Sequence, residues 1–337
     1  MKQNKRIGVI DALRGYFILW IGLFNTFAVF NALRPTPIIS LILLLFNDKG
    51  WFCLSIIFGY GFGKLMQTDA KHHNSFPKRM GILFLIGILN NCFFYGDILK
   101  EFAIIGLLLY FSQKPLRSSP KFIICILTIC TLLSIYTIPP DIHKVGNLIN
   151  YLTTNNFIFD NIKYCFSLNI HSRYFGIVFH LEMLLLATLG YLMAVSRFGS
   201  LIITHRRKLF KLCFFLVLGS LTYLLSPIWK NLVGLNFFIY VLSLSTCFVI
   251  GFNYLYKKYT FVAGQLENLG RRSLTLYLCQ NLFLATLWTF DSVYLHSHYN
   301  QLFFVFCIGQ ILLVWGTKFL TVQGVGGVEW FWRRLVG

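Results

Sequence analysis

Apolar stretches of about 16 to 22 residues recur along the whole chain, each close to the length a helix needs to cross a bilayer. Ten spans are predicted, at roughly 8–30, 51–67, 80–96, 99–112, 121–138, 174–195, 209–227, 233–255, 273–290 and 300–319. The run from Ile38 to Phe46 is too short to cross and is expected at the outer surface or re-entering. Connections are short except for residues 139–173, an Asn-rich polar and aromatic stretch. It is read as an extracytoplasmic loop with room for surface amphipathic helices, suited equally to covering or gating an outward cavity or to serving as a poorly ordered spacer. The pattern predicts an all-α polytopic bundle forming one membrane domain over residues 1–337, without internal repeats or low-complexity segments.

Charge orients that bundle. With the N-terminus inside, twenty-two of the thirty Lys and Arg fall on the cytoplasmic side, seven fall outside and Arg14 lies within a span. An even number of spans then puts both termini in the cytoplasm. Composition agrees, because 57% of the 337 residues are hydrophobic and only 12% are charged, too few for a soluble surface of this size. The net charge of +19 does not indicate a nucleic-acid partner, since the basic residues sit in short clusters between spans rather than on one face or tail. The first apolar run carries Asp11 and Arg14 and lacks a small-residue cleavage site, so it is expected as a retained span rather than a signal peptide. Nine Cys without a CxxC pair are read as packing residues, and no His spacing suggests a metal site.

Ionisable groups inside spans are costly unless paired or lining a cavity. Asp11 and Arg14 share a helical face, so they can neutralise each other, pair with another helix or belong to a site. Asn25 lies further along the same span, and Asn90 and Asn91 interrupt the third. Asp97 follows as a helix N-cap. His180 and Glu182 sit in the sixth span on different faces, and Glu182 requires a partner or a proton. Arg271 and Arg272 open the ninth span ahead of Gln280 and Asn281. Two Arg at a helix start oppose its dipole, which suggests an acidic partner such as Asp11, an anionic lipid or a phosphorylated ligand, although membrane orientation alone explains them equally well. The stripe of Gly59, Gly61 and Gly63 is read as a close helix-packing face rather than a phosphate loop, because no strand precedes it.

Five separated blocks occur in one order. They are Arg6-(x4)-Asp11-Ala-Leu-Arg14-Gly15 with Asn25 beyond it, Leu54-Ser-Ile-Ile-Phe-Gly59-Tyr-Gly61-Phe, Arg79-(x7)-Gly87-(x8)-Gly96-Asp97-Ile-Leu99, Gly270-Arg-(x)-Ser-Leu-Thr275-(x)-Tyr277, and Gly326-Gly-Val-Glu329-Trp330-Phe-Trp332-Arg333. Together they resemble the YeiB-like uncharacterised integral membrane family (DUF418), whose opening is similar to that of transmembrane acyltransferases. The resemblance implies a multi-pass protein of the bacterial cytoplasmic (inner) membrane and a lean towards acyl transfer onto envelope or small-molecule hydroxyls. Two departures stand out, Asn90 where family members often have His and Gly327 where they often have Pro. The related acyltransferases rely on an intramembrane His as general base, a role Asn cannot fill because it does not titrate.

Three functions are therefore carried forward. In an acyltransferase-like enzyme, Arg14, Arg271 and Arg272 hold the phosphates of an acyl carrier such as acyl-CoA, and Asn25, Asn90, Asn91, Gln280 and Asp11 line the passage. His180, Asp97 and Glu182 are the candidates for the base, and a lipid-linked or glycan acceptor approaches from outside. In a transporter or flippase the same groups line a path for a lipid-linked or small polar substrate. In a non-catalytic immunity or assembly factor the charges are structural. Membrane lipids are partners in every case.

Overall fold

The computed structural model describes residues 8–34, 36–46, 49–67, 70–94, 97–137, 179–195, 214–215, 217–219, 221, 233–290, 292–322 and 325–336. The long 139–173 stretch, the 197–208 loop and most of the predicted 209–227 span lie outside them. The described chain is all-α apart from a two-residue hairpin, β1 (Thr321–Val322) against β2 (Val325–Gly326).

The apolar runs become helices close to where the pattern puts them: α1 (Gly8–Leu33), α3 (Lys49–Leu65), α4 (Ala70–Asn91), α5 (Leu99–Phe111), α7 (Pro120–Thr137), α8 (Phe179–Val195), α9 (Val233–Lys258), α11 (Ser273–Ala285) and α13 (Tyr299–Gly316). Between them stand the short α2 (Pro37–Phe46), α6 (Gln113–Ser118), α10 (Thr260–Gly270) and α12 (Ser292–Ser297), and α14 (Gly327–Val336) closes the chain. Among the described residues three helices are long and apolar enough to cross a membrane, within α1, α9 and α13. Pro120–Leu133 of α7 and the helices α8 and α11 are apolar over shorter lengths.

Several helices turn large apolar side chains outward, the reverse of a soluble bundle. Phe122, Ile126, Ile129 and Leu133 form an exposed stripe on α7, and Phe304, Ile308, Leu312 and Trp315 form another on α13. Spacings of three and four residues put each set on one face. Contiguous apolar area of this kind marks contact with lipid or with another apolar surface.

Inside, one core joins α1, α3, α4, α5, α8 and α11 through Phe17, Ile57, Leu83, Ile105, Met183 and Leu276. A second surrounds the far end of α1 with α11 and α13, where the buried Tyr299 hydroxyl donates to the carbonyls of Phe30 and Arg34 at 3.0 and 3.1 Å. Lipid provides no hydrophobic drive between helices, so packing depends on how closely backbones approach. The stripe on α3 supplies that approach on one side. A Cβ on Gly59 would strike the Ala187 carbonyl of α8, one on Gly190 would strike the Ile56 carbonyl, and one on Gly63 would lie 2.7 Å from the Ala194 Cβ. Gly61, on another face, has nothing nearer than the Arg14 guanidinium at 3.9 Å.

This asymmetry is testable by thermal unfolding of the purified protein in detergent. Gly59→Leu or Gly190→Leu, blocked by backbone that cannot move aside, is expected to cost about 3 kcal/mol or to prevent folding. Gly61→Ala should be neutral or slightly stabilising, by up to about 1 kcal/mol. Equal losses at all three positions would refute the packing face.

Candidate functional site

The closest backbone contact around α1 is with α10. A Cβ on Gly15 would strike the Leu266 carbonyl, and one on Gly270 would strike the Asp11 carbonyl. The two glycines therefore let α1 and the end of α10 touch backbone to backbone, and the residues on either side are drawn together. Arg14 Nη1 donates to Asp11 Oδ1 at 3.1 Å, with Asp11 buried and Arg14 about one-third exposed. Arg271, just past Gly270, turns towards the same space, where its Nε is buried without a protein acceptor.

That space is a cavity of about 840 Å³. One wall is α1, through Asp11, Arg14 and Ile18. Opposite it, α3 contributes Leu54, Ile57, Phe58, Tyr60, Gly61 and Lys64. Helix α4 adds Phe76, Arg79, Met80 and Leu83, and the start of α5 adds Leu99 and Phe102 with Ile98 before it. Arg271, Ser273, Leu274 and Tyr277 come from the start of α11, and Glu329, Trp332 and Arg333 from α14.

The lining is polarised. Arg14, Lys64, Arg79, Arg271 and Arg333 gather where α3 ends and α11 begins, beside the first half of α1 and the middle of α4. Leu54, Ile18, Leu83, Phe102 and Tyr277 lie further along those helices in the other direction. Lys64 and Leu54 are ten positions apart, about 15 Å along the helix axis at 1.5 Å per residue. The cations outnumber the two carboxylates on the lining, Asp11 and Glu329. Burial, and after it the neighbouring Arg333 charge, holds the Arg79 guanidinium below its ordinary pKa. A mouth carrying neighbouring like charges, backed by about 15 Å of apolar wall, fits an anionic head group bearing an apolar tail.

Glu329 closes one side of this mouth structurally. Its carboxylate accepts hydrogen bonds from the backbone N–H of Leu274 at 2.6 Å and of Thr275 at 3.1 Å, and a further bond from the Thr275 hydroxyl. A carboxylate on the first N–H groups of α11 satisfies otherwise orphaned donors and offsets the helix dipole. Trp332 Nε1 donates to the Arg79 carbonyl at 3.3 Å, tying α14 to α4.

At the other end the Tyr277 hydroxyl accepts the Ile98 N–H at 3.4 Å. Directly behind Ile98 lies Asp97, one position ahead of the N-cap residue of α5. Its Oδ2 accepts the Leu99 N–H at 3.1 Å, and its Oδ1 accepts from Asn90 Nδ2 at 2.7 Å. Gly87 makes room for this turn, since a Cβ there would sit 2.5 Å from the Lys100 nitrogen and 3.1 Å from Asp97 Oδ2. Burial, partly opposed by the Asn90 hydrogen bond, pushes the Asp97 carboxyl up to about 7.

Of the residues singled out in the sequence, the cavity collects Asp11, Arg14 and Arg271, with Asp97 behind its floor. Asn90 acts through Asp97. The others stand elsewhere. Arg272 diverges from Arg271 and is buried against Gly326, within reach of the Glu329 charge. Gln280 is buried beside Gly22 of α1, and Gln310 Nε2 of α13 donates to its carbonyl at 3.3 Å. Neither Asn25 nor the buried Asn91 belongs to the lining. His180 and Glu182 lie on α8, which packs against the Gly59 and Gly63 side of α3, so α3 stands between them and the cavity. His180 instead comes within electrostatic reach of Glu101, which Lys100 pairs at 3.3 Å.

Residues 202–337 match the family model described as Protein of unknown function (DUF418). No curated protein and no solved structure matches the chain. The matched segment supplies Arg271, Tyr277, Glu329, Trp332 and Arg333, the cavity walls formed by α11 and α14.

The Asp97 carboxyl gives a pH signature. Its folded-state pKa is above that of an unfolded Asp, so the folded protein binds the extra proton between about pH 4 and 7. Stability is expected to fall as pH rises through that window and then level off. Asp97→Asn should flatten the slope, as checked by thermal unfolding across the range. A wild-type stability that rises over the same interval would contradict the assignment.

Proposed function

We propose that this chain, which belongs to the DUF418 family through residues 202–337, is a ten-span protein of the bacterial cytoplasmic membrane with both termini inside, acting as an acyltransferase. Its cavity receives an acyl carrier of the acyl-CoA type from the cytoplasm. The phosphates lie among Arg14, Arg271, Arg79 and Arg333, and the carrier's pantetheine arm runs along Ile57, Leu83 and Phe102, bringing the thioester carbonyl towards Tyr277. The orientation rests on the cation count, because Lys64, Arg79, Arg271 and Arg333 all fall on the side predicted to be cytoplasmic.

The single observation that carries this reading is the polarity of the cavity, cationic at one end and apolar for about 15 Å behind it, with the titratable Asp97 carboxyl next to the lining residue Ile98. A carboxylate near neutral pKa suits general-base work. Asp97 takes the proton of an acceptor hydroxyl as its oxygen attacks the acyl carbonyl. The bond from carbonyl to carrier sulfur then breaks, and the proton passes to the departing thiolate, giving an ester and a free carrier thiol. Tyr277, hydrogen-bonded beside Asp97, is placed to orient the acceptor. Asn90 holds the carboxylate by donating to it, so the carboxylate itself is the group that titrates.

A transport reading has one specific support. Gln280 and Gln310 are buried between α1, α11 and α13, beyond Tyr277, and both side-chain polar atoms of Gln280 lack protein partners. Polar groups left open at that depth suit a path continuing through the bundle.

The two readings separate in envelope and lipid extracts from a deletion strain and its parent. The enzyme reading expects an acyl ester present in the parent, absent from the deletion strain and restored by the wild-type chain. Asp97→Asn, at least as stable as wild type at pH 8 by the linkage above, should reduce ester formation about 100-fold or more. Arg271→Gln should instead raise the KM for acyl-CoA about tenfold with a smaller effect on kcat. Identical extracts from deletion and parent would sink the enzyme reading, and loss of activity in Gln280→Leu with Asp97→Asn unaffected would favour transport.

A further inference from the structure

Helix α14 has two unlike faces. Its inner face carries the buried Glu329, fastened to the start of α11, and Trp332, fastened to α4. Its outer face carries Phe331 and Leu335, 55% and 45% exposed, with the Arg334 guanidinium 5.1 Å from the centre of the Trp330 ring. The patch continues onto the segment just before the hairpin. Phe319 is 91% exposed and Leu320 49%, and the Leu320 carbonyl lies 3.1 Å from where a Cβ on Gly327 would stand. Lys318 reaches over Trp315 at 4.2 Å.

We propose that this surface docks on the anionic head groups of the leaflet where α13 ends. Two observations select lipid as the occupant. The first is tethering: α13 is a candidate span ending at Gly316, and only the short turn and hairpin separate it from Gly327, so α14 stays at that membrane face. The second is charge. Glu329, the acidic residue of α14, is turned inward, which leaves Lys318 and Arg334 beside exposed Phe, Leu and Trp. Basic side chains stacked on aromatic rings, alternating with apolar ones, are the pattern of a helix lying in an anionic interface. Because Trp332 and Arg333 also line the cavity, docking holds that wall of its mouth in place.

The test uses the full chain in nanodiscs of phosphatidylcholine alone and of an equimolar mixture with phosphatidylglycerol, read by hydrogen exchange of the α14 amides with the α9 amides as internal reference. Exchange in α14 is expected to be several-fold slower in the anionic discs, and half-molar salt should remove the difference. Lys318→Gln with Arg334→Gln, both on exposed side chains, should bring the anionic rate back to the phosphatidylcholine rate while α9 is unchanged. Phe331→Ser with Leu335→Ser should speed exchange in both lipids. Equal α14 exchange in the two lipids, or slowing that survives the double Gln variant, would overturn the proposal.

Discussion

The arrangement depends on one close contact, the backbone of α1 against the backbone of α10 at Gly15 and Gly270. Helices that touch at glycines approach more closely than side chains allow, and in lipid such approach replaces the hydrophobic drive available in water. Here it has a chemical consequence. Gly15 follows Arg14 and Gly270 precedes Arg271, so the same contact that packs the bundle sets two guanidiniums and the Asp11 carboxylate around one space. Any side chain at either glycine would drive the helices apart and separate the charges.

Once assembled, the charges are tolerable because they are unequally buried. Asp11 is enclosed and paired at 3.1 Å, whereas Arg14 keeps about a third of its side chain exposed. A fully buried pair repays its desolvation only with good geometry and further hydrogen bonds. The open cavity relaxes that demand. Lys64 uses a different device, donating to the Ala194 carbonyl at 3.0 Å near the end of α8, where the helix dipole favours a cation. Arg14 and Lys64 are thus held by a local carboxylate and a local backbone carbonyl, and the remaining positive field is directed into the cavity.

This organisation explains what the amino-acid pattern reveals. Features fixed by local periodicity are legible: Asp11 and Arg14 on one face, Gly59 and Gly63 of α3 (though not Gly61) as a packing surface, the run at 38–46 as too short to cross, and Asp97 beside the start of α5. Features fixed by tertiary contact are not. Lys64, Arg79 and Arg333 look like orienting charge, because nothing in their own neighbourhoods marks them as facing one cavity. Arg271 and Arg272 are adjacent in sequence but point apart, which depends on the turn between α10 and α11. Helix α10, with Gln265, Glu267 and Asn268 in its short length, lacks the apolar run that signals a span, yet it forms the contact on which the site depends. Glu329 caps a helix more than fifty residues earlier in the chain, a pairing that only the fold creates.

Asn90 acquires a physical role from the turn it serves. A titrating base needs a partner to orient it, and a carboxylate needs donors to define which oxygen is free. In this chain Asn90 Nδ2 occupies Asp97 Oδ1 at 2.7 Å and the Leu99 N–H occupies Oδ2 at 3.1 Å, so each oxygen already has one donor and retains a lone pair. An amide cannot take up a proton, but it fixes the carboxylate without adding a charge. Burial then raises the affinity of Asp97 for a proton, and the Asn90 hydrogen bond and the Lys100 charge only partly oppose it. In this turn the titrating group is therefore the Asp97 carboxylate, and Asn90 acts by orienting it.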